Sequence, residues 1–402
     1  MTVPAAVSRV RFGELERRYL SGTFAELCRI ESPSGSERAC GERVIAELRA
    51  LGVSVEEDDA GPRAGSDCGN LLARIPAAGR SLPPGAHVGA ARSVLLCAHL
   101  DTVPLQAPVE PVLIDGGWEN ANEGILGADN KAAVAVLLAL ARHICREGAP
   151  VDVELLFTVG EEVSLAGARE LDASRLRSDF GYVFDHASPI GEIVLDSPTH
   201  FAIEASFRGA AAHAGIRPEL GRSAILAAAR AIASLPLGRL DDGATVNVGT
   251  ISGGTAINVV PEHCTLLAEA RALGEERADA LVAQIVDRLH EAANLPDCDC
   301  DVDVSVRRTF AGLHLPASSP AVRVAEQALR ACGHQPVRIA SGGASDANAL
   351  LAQGFTTVNM ANGTERNHEP GERVSVLALE EMLDVALALL DEAAALAPAA
   401  AL

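Results

Sequence analysis

An apolar run over residues 151–159 leads directly into Gly160 and two adjacent carboxylates, Glu161 and Glu162. Such a run is typical of a buried strand in an α/β protein. Neighbouring side chains of a strand point to opposite faces, so both glutamates can serve one site only where the strand has ended and the chain turns. Gly160 gives the backbone that freedom. Because ligands of α/β proteins bind beyond the carboxyl ends of the strands, we predict that one glutamate binds a metal ion and the other transfers a proton.

Predicted strands alternate with helices through the first half of the chain. Strands over 93–99, 151–159 and 180–184 each end at or beside a histidine or an acidic residue. A helix is predicted over 130–146, and the segment over 104–127 is predicted to be a polar loop. This order predicts a layered α/β domain with its site along one edge of the sheet.

The pattern changes from Thr199 onward, where the predicted order is strand, helix, strand, strand, helix, strand. That order indicates a two-layer α+β fold of the ferredoxin-like type. A chain of 402 residues also exceeds what a single hydrophobic core normally supports. We therefore predict an inserted domain over 198–308, within a larger domain formed by 1–197 and 309–402.

The charge of the chain restricts its partners. It carries 33 basic and 54 acidic residues, a net charge of −21, so it offers no basic surface that would neutralise phosphates. We therefore expect neither nucleic acid nor an anionic membrane as a partner. In addition, the apolar stretches fall short of the roughly 20 residues that span a bilayer. The nine cysteines show no Cys-x-x-Cys spacing. This indicates neither a disulfide framework nor a thiolate zinc site, and a reducing cytoplasm is the simplest compartment.

Other predicted connections carry possible metal ligands. His99 and Asp101 are two residues apart at a strand end, so their side chains share a face and the aspartate can hold the histidine in one tautomer. Asp129 precedes a predicted helix, where it is either the N-cap of the helix or a carboxylate that bridges two ions. Each residue alone also has an ordinary explanation. Asp185 can cap a turn, His368 can be a solvated loop residue, and the paired glutamates can be an exposed acidic turn.

Taken together, five of these residues form a ligand set rich in nitrogen and oxygen. The members are His99, Asp129, Glu162, Asp185 and His368. Without thiolates the set suits one or two zinc ions, and manganese or cobalt could also bind. Two ions about 3.5–4 Å apart would polarise a carbonyl and lower the pKa of a bridging water. Glu161 would then accept the proton of that water and pass it to a leaving amine.

The inserted segment contributes three candidate substrate contacts. His213 lies among small residues after a predicted strand. There it is either part of a structural turn or a donor that reaches a substrate oxyanion once the domains close. Asn258 and Arg271 can bind polar groups of a substrate, although Arg271 can equally form a salt bridge on a strand face.

The order of these motifs resembles that of the dinuclear zinc aminopeptidase, carboxypeptidase and deacylase superfamily, which includes tripeptidase T, glutamate carboxypeptidase and the aminoacylases. The likeness covers nearly the whole chain. In the larger domain the matching segments are His99-Leu-Asp101-Thr-Val, Gly127-Ala-Asp129-Asn-Lys-Ala-Ala, Gly160-Glu161-Glu162, Asp185 and His368-Glu369. In the inserted domain they are Ala212-His213-Ala-Gly215, Gly253-Gly-Thr-Ala-Ile-Asn258-Val-Val-Pro and Glu269-Ala-Arg271.

The resemblance implies a role for each candidate and an architecture for the chain. The implied ligands are His99, Asp129 and Asp185 for one ion, and Asp129, Glu162 and His368 for the other. Asp101 would orient His99, and Glu161 would be the catalytic base. The larger domain would be a three-layer αβα catalytic domain with a mixed sheet. The inserted domain would be a lid and frequently the surface of a homodimer, with His213 completing a site in the same or the partner subunit.

The resemblance also implies a reaction, the metal-dependent hydrolysis of amide bonds in small peptides. Acylases and glutamate carboxypeptidases tend to carry glutamate at the position of Asp185, so this aspartate favours the tripeptidase branch. Asn130 stands where aspartate is more usual, and Ser341 stands where tripeptidases tend to have arginine. The alternative is therefore an N-acyl-amino-acid deacylase or a carboxypeptidase. A non-catalytic peptide-binding relative would lack the base or a ligand, and this chain has every expected one.

Overall fold

The computed structural model describes residues 12–78, 93–241 and 243–396. Within them the chain forms two compact units. The larger unit comprises the described parts of Met1–Leu195, His314–Ala340 and Ser345–Leu402, and the smaller unit those of Asp196–Leu313 and Ser341–Ala344. The smaller unit is thus inserted in the sequence of the larger one.

Strands and helices follow one another along both units. The strands are β1 (Val55–Glu57), β2 (Leu71–Ile75), β3 (Ser93–His99), β4 (Pro111–Ile114), β5 (Gly117–Asn120), β6 (Asp152–Thr158), β7 (Phe180–His186), β8 (Glu192–Ser197), β9 (Thr199–Arg208), β10 (Gly238–Asp241), β11 (Ala244–Gly253), β12 (His263–Ala272), β13 (Asp301–Phe310), β14 (Leu313–His314), β15 (Val337–Ala340), β16 (Thr357–Ala361), β17 (Thr364–Glu365) and β18 (Arg373–Ser375). The helices are α1 (Glu14–Cys28), α2 (Arg38–Ala50), α3 (Gly61–Ala64), α4 (Ala128–Glu147), α5 (Ala166–Glu170), α6 (Ala224–Ser234), α7 (Glu275–Ala293), α8 (Pro320–Ala331), α9 (Asp346–Ala352) and α10 (Val376–Ala395). Among the described residues, none of these helices is both long and apolar enough to cross a membrane.

The main sheet of the larger unit is mixed. Its strand order is β1-β2-β6-β3-β7-β16-β8-β14, and β15 pairs with β8. The central strands β6, β3, β7 and β16 are parallel to one another, whereas β1, β2 and β8 join antiparallel. The carboxyl ends of the four parallel strands therefore meet at one edge of the sheet, which is where α/β proteins place their ligands.

Helices pack on this sheet in two groups. Helices α1, α4 and α10 pack on one another, with α4 and α10 against β3, while α9 packs on β7 and β16 beside α5. Every residue of β3 and β6 is buried, as is α4 over 132–141. Strands covered on both faces need no polar alternation, which explains the apolar runs over 94–98 of β3 and 155–157 of β6. The prediction of a three-layer αβα domain with a mixed sheet is confirmed.

A second sheet of the larger unit corrects the prediction of a polar loop over 104–127. Strands β4 and β5 form a hairpin there, which turns at Asp115 and Gly116 with φ values of 48° and 76°. The sheet order is β17-β18-β5-β4, so the partners of the hairpin come from far later in the chain. The two strands are short and only partly buried. Their sequence therefore shows no clear alternation, and their structure depends on pairing with β18.

The smaller unit is an antiparallel sheet with two helices. Its strand order is β10-β11-β12-β9-β13, and α6 and α7 pack on it. On β12, Leu266 and Ala268 are buried whereas Leu267 between them is exposed, as expected of a sheet covered on one face. The predicted two-layer α+β fold is confirmed, with β10 as an additional edge strand. Strand β13 continues beyond the predicted boundary at 308, to Phe310, because it stays paired with β9.

Candidate metal centre

The turn after β6 has the conformation that its sequence predicts. Gly160 has a φ of 61°, which residues with a Cβ rarely adopt. The next two amides donate hydrogen bonds to the carboxylate of Asp101, from Glu161 N to Oδ1 at 3.0 Å and from Glu162 N to Oδ2 at 3.1 Å. Ser34 Oγ donates a third bond to this carboxylate at 2.7 Å. Asp101, just after β3, thus holds the turn that carries both glutamates.

His99 is the last residue of β3, and partners hold its ring on both sides. Its Nδ1 lies 3.0 Å from the backbone oxygen of Asp101 and 3.4 Å from the Oδ1 of the same residue. The nearer partner of Nδ1 is therefore the backbone carbonyl of Asp101. The Asp101 carboxylate lies farther from Nδ1 and also accepts hydrogen bonds from the turn after β6. On the other side, Nε2 lies 3.2 Å from Asp129 Oδ1 and 3.5 Å from Asp185 Oδ1. An acceptor at Nδ1 leaves Nε2 available as a metal ligand.

His368 occupies the opposite side of Asp129. Its Nε2 lies 2.9 Å from Glu162 Oε1 and 3.4 Å from Asp129 Oδ2. The side-chain amide of Asn367 donates a hydrogen bond to the same Oδ2 at 2.8 Å. The two carboxylate oxygens of Asp129 thus face two different histidines, which is the arrangement expected of a bridging ligand.

The donor atoms lie close enough together to coordinate cations. One ligand atom each from His99, Asp129 and Glu162 lies within 4.8 Å of the others, and the same holds for His99, Glu161 and Asp185. Imidazole nitrogen and carboxylate oxygen are the ligands that zinc and related divalent metals use in proteins. Both groups contain His99, so the residues present fit divalent ions beside it.

The Asp129 carboxylate contacts His99, Asn367 and His368, and among the described residues no backbone amide of α4 donates a hydrogen bond to it. Asp129 has non-helical φ and ψ values of −83° and 104°, so the regular part of α4 begins after it. These contacts favour the ligand role over the N-cap role that the sequence left open.

The peptide bond between Asp129 and Asn130 is cis. The side-chain amide of Asn130 donates hydrogen bonds at 2.8 Å to both Phe184 O and Asp185 Oδ1. Asn130 therefore orients the Asp185 carboxylate toward the site.

Buried carboxylates crowd this site, and their pKa values reflect it. Burial and the charge of Asp185 raise the pKa of Glu161, and burial and the charge of Asp129 raise the pKa of Asp185. Burial would also raise the pKa of Asp129, but hydrogen bonds from His368 and His99 outweigh it and lower that pKa. Without a cation the folded site thus favours protons on Glu161 and Asp185, and bound divalent ions would offset the same repulsion.

The metal-free protein is expected to become less stable as pH rises from about 5 to about 8. Burial raises the pKa of Glu372 to about 7, and hydrogen bonds with Asp129 and Glu162 raise that of His368 to about 10. Groups with raised pKa values bind more protons in the folded than in the unfolded state, so the stability they contribute at low pH is lost as pH rises. Melting temperatures measured in chelator should therefore fall by at least about 2 °C across this range. With excess zinc the fall should shrink or reverse, because ligand deprotonation favours binding. A rise in chelator would contradict this expectation.

Several buried polar residues around the site were not identified from the sequence. Lys131, which could be a mere surface charge on sequence grounds, is only 1% exposed and its Nζ contacts Ile30 O. The sequence features that could have drawn attention to Lys131 are that it is the only lysine in the chain and that it lies beside Asp129. Glu37 accepts a hydrogen bond from Gly160 N at 3.1 Å. These partners are far apart in sequence, so no local pattern indicates the contacts.

Two of the candidate substrate contacts meet within the smaller unit. His213 forms an isolated antiparallel bridge with Val259, and Ala214 N donates to Asn258 O at 2.9 Å. The His213 ring is exposed, and its Nδ1 accepts a hydrogen bond from Gly215 N at 3.1 Å. His213 and Asn258 thus lie on two adjoining segments of the smaller unit, and their role in binding stays a prediction.

The third candidate, Arg271, forms the strand-face salt bridge that is its alternative interpretation. Its guanidinium lies 3.1 Å from Glu269 Oε2, and a second nitrogen donates to Gly342 O at 3.1 Å. Glu269 is also 2.9 Å from His200 Nε2. Arg271 is half-buried in this network, and substrate binding by it stays a prediction.

Two family models match the chain. Residues 199–295 match a peptidase dimerisation domain, and residues 80–214 match peptidase family M28. The first match lies within the smaller unit, and the second spans Asp101, Asp129, Glu161, Glu162 and Asp185. The two matches together indicate a peptidase with an inserted dimerisation domain.

Three similar proteins cover almost the whole chain. Uncharacterized protein YqjE of Bacillus subtilis is 33% identical over 380 residues, which are 94% of this chain and 99% of YqjE. The crystal structure of aminopeptidase PepT from Bacillus cereus is 34% identical with a TM-score of 0.84, and covers 94% of this chain and 99% of its own. A tripeptidase structure from Staphylococcus aureus is 30% identical with a TM-score of 0.88 and the same coverage. The similarity thus extends over both units.

Proposed function

Because the chain belongs to the dinuclear metallopeptidase family that includes tripeptidase T, we propose that it removes residues from small peptides, with tripeptides as its preferred substrates. The observation that carries this proposal is the position of Asp129 between two histidines, with one carboxylate oxygen facing His99 and the other facing His368. The similarity to an aminopeptidase and a tripeptidase over almost their whole lengths supports the substrate class.

The proposed ligands follow the two sides of Asp129. We assign His99, Asp129 and Asp185 to one ion, and Asp129, Glu162 and His368 to the other, as the contacts of the two Asp129 oxygens suggest. Zinc is the proposed metal, with manganese or cobalt as alternatives, because the set combines imidazole and carboxylate donors without thiolates. When bound, the two ions polarise the carbonyl of the scissile bond and lower the pKa of a water molecule.

Glu161 is the proposed general base and acid. The backbone of Glu161 is fixed by Asp101. No described residue donates a hydrogen bond to its carboxylate. The other carboxylates of the site, those of Asp129, Glu162 and Asp185, each have a histidine or asparagine partner. A buried carboxylate without such a partner can accept a proton from a nearby water. Glu161 accepts a proton from the attacking water at a carboxylate oxygen and then donates it to the amine nitrogen of the departing residue.

The smaller unit is the proposed lid and homodimer surface. The match of its residues to a peptidase dimerisation domain supports this assignment. Within it, His213, Asn258 and Arg271 are the proposed contacts to polar groups of the substrate. The cytoplasm is the proposed compartment, supported by the free thiols of all nine cysteines.

A substrate panel tests the proposed specificity. The zinc-, cobalt- or manganese-loaded protein would be assayed with tripeptides that have free amino ends, matched dipeptides, amino-terminally blocked tripeptides and N-acetyl amino acids. We expect kcat/KM to be at least about tenfold higher for the free tripeptides, which corresponds to about 1.4 kcal/mol of transition-state binding. Protein treated with chelator is the control and should show no turnover.

Each other outcome of this panel has a definite meaning. Faster hydrolysis of N-acetyl amino acids would indicate a deacylase, and release of the carboxyl-terminal residue from blocked tripeptides would indicate a carboxypeptidase. No turnover of any substrate with any of the three metals would refute peptide hydrolysis and favour a peptide-binding protein.

A further inference from the structure

Glu372 lies four residues after His368, yet its side chain contacts a different part of the site. The side chain is only 1% exposed. Its Oε2 accepts hydrogen bonds from the backbone amides of Leu126 and Gly127, both at 2.8 Å, and its Oε1 accepts one from Asp129 N at 2.9 Å. All three donors belong to the segment that presents the Asp129 carboxylate. One buried side chain thus satisfies three backbone amides of that segment.

These amides need such a partner because of where they lie. Leu126 and Gly127 come directly before α4 and Asp129 lies in its first turn, where backbone N–H groups have no intrahelical acceptor. A buried carboxylate can accept all three, and it also interacts favourably with the positive end of the helix. The segment over 126–129 therefore takes its position from Glu372 and not from a capping side chain of its own.

The loop that carries His368 and Glu372 also contacts the side chain of Asp129. Asn367 Nδ2 donates to Asp129 Oδ2 at 2.8 Å, and His368 Nε2 lies 3.4 Å from the same oxygen. The segment over 367–372 thus binds the bridging aspartate at both its carboxylate and its backbone. A shift of either segment would change the separation of His368 from Asp129.

We infer that Glu372 is a positioning residue, which fixes the Asp129 segment against the His368 loop so that both residues can bind the same ion. This inference rests on the proposed dinuclear function. It assigns Glu372 no contact with substrate or with the reacting atoms. Its effect should therefore be on the affinity for metal, and on activity only through the metal.

The test is the Glu372→Gln variant, which keeps the size of the side chain. A glutamine has a single acceptor oxygen, so its amide nitrogen would face one or two of the backbone N–H donors. We expect zinc affinity at the weaker-binding site to fall by about 10–100-fold, the usual effect of losing a group that orients metal ligands. Zinc titration of the metal-free protein against a chromophoric chelator measures stoichiometry and affinity, and the absorption spectrum of the cobalt-loaded protein reports any change in coordination.

Glu365→Gln is the matched control. It removes the same charge from the neighbouring strand β17, but Glu365 is exposed. Its zinc affinity and cobalt spectrum should equal those of the wild type.

The possible results separate this inference from the proposed function. A wild-type protein that binds fewer than two ions would refute the dinuclear function and the inference with it. If the wild type binds two ions, then a folded Glu372→Gln protein with zinc affinity within about threefold of the wild type overturns the inference alone. Lower thermal stability with unchanged affinity would show a merely structural role and would also overturn it. If circular dichroism shows that Glu372→Gln is unfolded, Glu372→Asp decides by the same criteria, because it keeps the charge but shortens the reach.

Discussion

Replacing Glu161 by glutamine is expected to lower kcat for peptide hydrolysis by about 100- to 10,000-fold while two divalent ions stay bound. This is the range that a positioned general base and acid contributes. Glutamine keeps the shape of the side chain but cannot accept a proton, and the contacts that fix the turn use the backbone amide of Glu161. Steady-state kinetics at saturating metal, together with metal content determined on the same samples, measures both parts of the prediction.

The adjacent residue provides the comparison. Glu162 Oε1 lies 2.9 Å from His368 Nε2, so Glu162→Gln should weaken metal binding, and added metal should restore part of its activity. Metal should restore nothing to Glu161→Gln. Wild-type kcat in Glu161→Gln would refute the assignment of the base, and loss of an ion from it would assign Glu161 to the ligands, beside which it lies.

The two glutamates could be located from the sequence because their signal is local. A buried strand, a glycine with positive φ and two carboxylates follow one another within a few residues, and the structure shows Gly160 at 61°. His99 is similar, because it ends the neighbouring parallel strand. The topology of a parallel sheet then places these strand ends at one edge without further information.

The residues that hold the site in place could not be located in this way. Glu372 binds amides of Leu126, Gly127 and Asp129, and Glu37 binds the amide of Gly160, all through contacts between distant segments. A buried glutamate in such a contact has the same local sequence as an exposed one. The hairpin of β4 and β5 was missed for the same reason, since its stabilising partner β18 lies far away in the chain.

Asp129 is an intermediate case, because the sequence left two roles open for it. The residue type and its place before a helix suit an N-cap as well as a metal ligand. What separates the two is the surroundings of the carboxylate, whose two oxygens face His99 and His368. A local pattern can thus give the candidate, but the choice between roles depends on which distant segments surround it.

The central position of Asp129 leads to the other large expected effect. Asp129→Asn should weaken the binding of both ions by more than about 100-fold, beyond what the loss of an orienting group costs. Asparagine offers one acceptor oxygen, so its amide nitrogen would face either His99 or His368, and the negative charge between the two sides is lost. Since bound metal supplies several kcal/mol of transition-state stabilisation, kcat/KM should fall at least about 1,000-fold at limiting zinc.

Asp185→Asn is the matched comparison for this prediction. Asp185 lies 3.5 Å from His99 Nε2, whereas His368 faces the other oxygen of Asp129. Replacing Asp185 should therefore weaken the binding of one ion and leave the affinity for the other at its wild-type value. Zinc stoichiometry measured against a competing chelator distinguishes the two variants. Two ions bound to Asp129→Asn with wild-type affinity would show that Asp129 does not bridge.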